Sequence, residues 1–249
     1  MIPIALQLYT VREDLVEDPV RTIEAVAEIG YQGVEGGAPT GMSNKDYLSL
    51  LNDNNLTLIG SGTSTTGLRD RLPETVENCA ELGINTLMCG IGGELHQSDG
   101  DWKRVVAELA EGCAKASEVG LRILYHNHAF EFNKLPSGKM PIECIFAHNE
   151  KLKYEIDLGW VVAGKADPIF WTKKYASRIV ACHLKDFTSP DLNLINHDSQ
   201  CAVGDGFIDW SSILNEVKKT DCEIFVLEHD DPKDYKEYTL RSIENLKDI

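Results

Sequence analysis

Several things are scarce in this chain. It has no C-x-x-C pair, no apolar run near the ~20 residues of a membrane span, and no signal-peptide pattern in its first 14 residues, MIPIALQLYTVRED. Its seven cysteines, Cys79, Cys89, Cys113, Cys144, Cys182, Cys201 and Cys222, are odd in number and scattered through apolar runs. That argues against a disulfide framework or a thiolate zinc site, and a reducing, cytoplasmic location is expected. Positive charge is also short: 24 Lys and Arg stand against 40 Asp and Glu, a formal net charge of −16. Such a surface repels phosphate backbones and anionic lipid, so neither nucleic acid nor a membrane is an expected partner. No Pro/Ser-rich linker interrupts the 249 residues, so one domain spanning 1–249 is expected. The first strand-like run continues as LQLYTVRED without a G-x-G-x-x-G turn, which speaks against a dinucleotide site.

What is present is a repeated alternation. Strands are predicted over residues 2–9, 33–35, 57–61, 86–89, 122–126, 154–157, 179–184 and 224–227. Helices are predicted over 20–29, 44–54, 72–82, 101–119, 141–148, 168–175, 211–219 and 234–247, with irregular stretches over 90–100 and 188–209. Asp18 before Pro19 is a helix start. The junctions AEIGYQGVEGG, AELGINTLMCG and SEVGLRILYHN repeat one unit, an acid in the last helical turn, a glycine and then an apolar strand. Eight such units predict an α/β fold, a (β/α)8 TIM barrel in a single domain, with a doubly wound open sheet as the runner-up.

Four late strand-like runs end on chemistry-bearing residues. RILYHNHAFEF ends in His126 and His128, which alternation places on one face, with Glu131 able to fold back from the following loop; KYEIDLGW ends at Asp157, RIVACHLKD at His183, and EIFVLEHDD at Glu228. Singly, each has a plain explanation as a cap, turn or solvated residue. In a barrel, however, those ends converge on one mouth, and buried strands do not repeatedly place charge at one end without something that compensates it. Two carboxylates, a histidine and one further carboxylate or histidine suit Mn2+, Mg2+ or Co2+ and admit Zn2+. An ion so held binds oxygens of a carbonyl-bearing sugar and stabilises the enediolate left by proton removal, with nearby carboxylates as bases.

The motifs LQLYTVR, IGYQGVE, YHNHAFEF, DLGW, HLKD, GDGFIDW and LEHD, in strand order along almost the whole chain, resemble the sugar phosphate isomerase/epimerase family of xylose isomerase-like TIM barrels. The resemblance implies one divalent ion, commonly Mn2+, held by Glu131, Asp157, His183 and Glu228. His126 stands where relatives carry the first glutamate and is a substitute ligand or substrate contact. Glu131 and Glu228 would move protons as the catalytic pair. His128, Lys185, Trp160, Gln7, Tyr9 and Glu35 would line the site, Trp160 replacing a histidine found in many relatives. The implied activity is isomerisation or epimerisation of a sugar, keto-sugar or polyol derivative. The runner-up is a lyase or dehydratase acting on inosose or 3-keto-glycoside substrates, and a third reading is a non-catalytic sugar-binding or subunit-contact barrel. A small-molecule sugar is the expected partner, with a homodimer as the commonest assembly.

Overall fold

Short β-compatible runs, each followed by a capped helix, set the chain's rhythm. In the computed structural model, which describes residues 2–91, 98–147 and 149–247, these runs are β1 (Ile4–Gln7), β2 (Gly33–Glu35), β3 (Thr57–Ser64), β4 (Thr86–Gly90), β5 (Arg122–His126), β6 (Lys153–Asp157), β7 (Ile179–Leu184) and, after a short antiparallel pair β8 (Asp186–Phe187) and β9 (Gln200–Cys201), β10 (Ile224–Leu227). The eight long-range partners close a parallel barrel in the order β1, β10, β7, β6, β5, β4, β3, β2. The predicted (β/α)8 TIM barrel is the observed fold.

The helices that cover the barrel start and stop where local chemistry dictates. The Asp18 carboxylate accepts the Arg21 N–H at the start of α2 (Pro19–Ile29), after the short α1 (Arg12–Glu17); Gly30 ends α2 in the left-handed conformation at φ +111°, which costs glycine nothing. The series continues with α3 (Asn44–Asp53), α4 (Thr65–Asp70), α5 (Leu72–Leu82), α6 (Asp99–Glu118), α7 (Pro141–Ala147), α8 (Leu158–Ala163), α9 (Pro168–Lys174), α10 (Trp210–Val217) and α11 (Tyr235–Lys247). Three of these were not expected from the sequence: α1, α4 and α8 have six residues each, too short for a helical period to register. The first strand is also shorter than expected, because the Gln7 side chain accepts the Tyr9 N–H and turns the chain into a 3-10 helix at Leu8–Val11. Part of the polar 90–100 stretch and the last residue of the 141–148 helix lie outside the described residues.

Strand alternation separates two environments. Outward side chains, including Leu6, Val34, Leu87, Ile123, Tyr125, Tyr154, Ile156, Cys182, Leu184 and Leu227, pack under the helices in the main core. Inside the barrel, Leu124, Val180 and Ala181 form a small separate apolar cluster. Above it the interior becomes polar, with Gln7, Glu35, His126, Glu155, Asp157 and His183 all buried. The ladder sets Asp157 directly across from His183, His126 across from Glu155, and Gln7 across from Glu35.

Candidate metal centre and substrate pocket

The ends of β5, β6, β7 and β10 bring His126, Asp157, His183 and Glu228 together. One donor atom from each lies within 4.8 Å of the others, and all four residues are buried. In this group His126 occupies the place the sequence reading gave to Glu131. Glu131 is fully buried in the 3-10 turn Phe130–Phe132, where it accepts the Tyr125 hydroxyl at 2.8 Å and the His128 backbone N–H at 2.9 Å. Tyr125 points out of the barrel by strand alternation, and its hydroxyl draws the carboxylate away from the four-residue group. His126 points in.

Asp157 does two jobs. Its Oδ1 caps α8 by accepting the Trp160 N–H at 2.7 Å, while its Oδ2 is buried without a hydrogen-bond partner. The capping reading of Asp-Leu-Gly and the ligand reading therefore apply to different oxygens of one carboxylate. Asn127 holds the Asp157 backbone from both sides, accepting its N–H at 3.0 Å and donating to its carbonyl at 3.1 Å. Gly159 is required here because a Cβ would lie 2.5 Å from the Lys185 carbonyl oxygen. Close passage of α8 over β7 is what sets Trp160 at the pocket wall.

Charges around the group are interlocked. Lys185, buried at 2 % side-chain exposure, places Nζ 2.9 Å from Glu228, 2.9 Å from Asp230 and 3.6 Å from Asp157. Burial alone would lower its pKa, but these carboxylates outweigh burial and raise it. Burial pushes the Asp157 carboxyl up to about 6, with Lys185 and His183 limiting the rise. At Glu228 burial also acts upward, yet Lys185 and His183 prevail and hold it well below the usual carboxylate range. Burial and the neighbouring His183 push His126 well below its ordinary value. His183 goes the other way: against burial, Glu155, Glu228 and Glu35 hold its pKa well above normal.

The donor chemistry fits a divalent cation. Two imidazoles and two carboxylates form a mixed N/O set, and His126 Nδ1 and Asp157 Oδ2 are buried polar atoms without a hydrogen-bond partner. Above the group opens a cavity of about 530 Å³, which takes in Gln7, Tyr9, His126, His128, Trp160, Lys185 and Glu228. Glu35 is not at this wall. It lies below, where Gln7 Nε2 donates to it at 2.7 Å. His128 stacks on Phe130 at 5.5 Å and lies 3.9 Å from Glu131; against burial, the Glu131 carboxylate raises its pKa.

Sequence reasoning missed Glu155, Asn127 and Asp230. Glu155 was findable, since it sits two residues before Asp157 on a strand and so shares its inward face. The GDGF segment is wrapped around a carboxylate: Asp186 accepts the N–H groups of Gly204 and Gly206 and the Trp210 indole N–H. A Cβ at Gly206 would fall 2.1 Å from Asp186 Oδ1.

Comparison with known proteins agrees with this architecture. A family model described as xylose isomerase-like TIM barrel matches residues 23–249. The chain is similar to the inosose dehydratase of Geobacillus kaustophilus (strain HTA426), 25 % identical over 262 residues, covering 88 % of this chain and 82 % of that protein. Among solved structures, a sugar phosphate isomerase/epimerase from Parabacteroides distasonis superposes with a TM-score of 0.84 at 20 % identity, covering 99 % of this chain and 94 % of that one. An IolI protein with a bound zinc atom superposes with a TM-score of 0.75 at 13 % identity, covering 99 % and 95 %. At those identities the two structures speak to the fold alone. Among the described residues, no helix is long and apolar enough to cross a membrane.

Proposed function

We propose that this chain, which belongs to the xylose isomerase-like TIM barrel family, is a divalent-metal-dependent lyase acting on a cyclic keto-polyol, a keto-cyclitol or 3-keto-glycoside ring. It removes the proton next to the carbonyl and expels the oxygen substituent one carbon further on. The observation that carries the reading is the position of Glu131. An epimerase with a carboxylate base on each face needs Glu131 opposite Glu228, and both Glu131 oxygens are engaged by Tyr125 and the His128 amide. Two carboxylates and two imidazoles line the cavity; Asp230 is bound by Lys185 and Gln200 and His126 belongs to the donor group, which leaves Glu228 as the base and His128 as the acid. A single base with an acid beside it suits elimination.

His126, Asp157, His183 and Glu228 would hold the ion, which would supply Lewis acidity to the site. The rest belongs to the chain. Glu228, kept ionised by Lys185 and His183, is in the form that accepts the carbon-bound proton. The C–H electrons become the new C=C bond, the C–O bond breaks, and His128, whose pKa Glu131 raises against burial, gives its proton to the departing oxygen. Trp160, Phe130 and Met88 offer apolar surface to a ring face, and Gln7, Thr63 and Lys185 offer polar contacts to its hydroxyls. The similarity to inosose dehydratase supports the same reaction class.

The test is incubation with keto-cyclitols and 3-keto-glycosides in D2O with Mn2+. The lyase reading expects a conjugated enone and a released water or alcohol. Deuterium incorporation into intact sugar without elimination would make the enzyme an isomerase or epimerase. Neither product, with no ion bound, would make it a non-catalytic barrel.

A further inference from the structure

Below the four-residue group lies a second set of ionisable side chains that the proposed chemistry does not use. Glu35 and Glu155 are buried at 1 % and 0 % exposure, and each offers an oxygen within 4.8 Å of His183 and of the other. His183 Nε2 lies 3.1 Å from Glu35 Oε2 and 3.4 Å from Glu155 Oε1. On the other edge of the same ring, Nδ1 lies 2.9 Å from Glu228 Oε2. Gln7 Nε2 ties Glu35 from β1 at 2.7 Å. Neither Glu155 oxygen has a hydrogen-bond partner within ordinary geometry. Two buried carboxylates are costly unless something nearby compensates them, and the group they share is His183.

We infer that Glu35 and Glu155 are positioning residues, Glu35 as the hydrogen-bond acceptor of His183 Nε2 and Glu155 as a second carboxylate beside it, which hold the ring from inside the barrel and so turn Nδ1 toward Glu228 and the ion site. The inference rests on the metal reading given above. A ligating histidine is fixed in tautomer and ring angle by what its second nitrogen bonds, and a carboxylate there also raises its donor strength. The arrangement follows from the barrel's geometry. Inward residues of β6 and β2 reach the ring of β7 one layer beneath the mouth, where water does not compete. Asp157 and Glu155, alternate residues of one strand, would then serve the same ion directly and through His183.

The experiment is calorimetric titration of metal-free protein with Zn2+, on wild type, Glu155→Leu, Glu155→Gln and Glu35→Gln, each shown to be folded by a cooperative melt. Wild type should take one equivalent. Glu155→Leu should lose about 10–100-fold in affinity, and Glu155→Gln, which keeps a polar oxygen beside Nε2, should recover most of it. In the zinc-loaded wild type, long-range 1H–15N spectra should show His183 protonated at Nε2 with Nδ1 on the metal. Wild-type affinity in both Glu155→Leu and Glu35→Gln, or a proton on Nδ1, would overturn the inference while leaving the metal centre intact. Two equivalents in wild type, falling to one in Glu155→Leu, would overturn it by assigning the pair to a second ion. No Zn2+ or Mn2+ binding by wild type would remove both this inference and the metal reading.

Discussion

Lys185 is the cation on which the charge balance of the mouth turns, so Lys185→Met is the sharpest perturbation. Its Nζ sits 2.9 Å from each of Glu228 and Asp230 and 3.6 Å from Asp157, with 2 % of the side chain exposed. At an effective dielectric of ~20, each of the two shorter pairs is worth roughly 6 kcal/mol of Coulomb attraction. Most of that offsets the several kcal/mol lost when the ammonium and carboxylates leave water, so the terms do not add up to a net gain. Removing the lysine reverses only one side of this balance, leaving three buried carboxylates without their cation. Breaking a buried pair from one side costs about 3–5 kcal/mol. In a chain of this size that corresponds to a fall of roughly 6–20 °C in melting temperature. Methionine keeps the length and apolar stem, so packing loss is small. A divalent ion bound by the four-residue group would restore positive charge beside Asp157 and Glu228. The Tm gain on adding Mn2+ to metal-free protein should therefore be larger in Lys185→Met than in wild type. The assay is differential scanning calorimetry of both proteins with chelator and with excess Mn2+. If metal-free Lys185→Met melts within ~2 °C of wild type and gains no more from Mn2+, the electrostatic picture of the site is wrong.

Three further outcomes are expected. His126→Ala should lose the Mn2+-induced Tm gain while Glu131→Gln retains it; the opposite result would return Glu131 to the ligand set. Asp157 has its carboxyl raised from 3.8 to about 6, so its contribution to metal-free stability is fully present below the unfolded value and is lost as pH rises through about 6. The swing is ~3 kcal/mol, so Asp157→Asn should gain on wild type between about pH 4 and pH 7.5 in metal-free melts, and a pH-independent gap would refute the buried titration. Asp186→Asn turns a donor amide toward N–H groups that the carboxylate now accepts, which should cost about 1.5–3 kcal/mol. Hydrogen exchange should quicken over residues 203–210, and unchanged protection there would refute the loop-anchor role.

The barrel was legible because its signals are local. Asp18-Pro19 and the helix-ending glycines punctuate the chain, and eight strand-like runs alternate with eight long helices whatever the distant contacts. The same logic failed at α1, α4 and α8, whose six residues owe their form to caps and packing, as where Gly159 lets α8 cross Lys185. Asp157, His183 and Glu228 could be nominated together because strand ends of a barrel must converge, and convergence is a property of the fold class.

The choice between His126 and Glu131 was not local. Both are a few residues from the strand end, and both are chemically able to bind an ion. What separates them is which side of β5 each is drawn to: the Tyr125 hydroxyl, outside the barrel, takes Glu131, and the inward face of the strand places His126 beside Asp157, His183 and Glu228. The same holds for Lys185, whose pairing with three carboxylates from two distant segments no spacing in the chain announces. By itself the sequence determined the fold and the kinds of side chain at the mouth, since periodicity and capping act over a few residues. Only the closed barrel decided which of them meet, because burial and charge balance depend on neighbours far away along the chain.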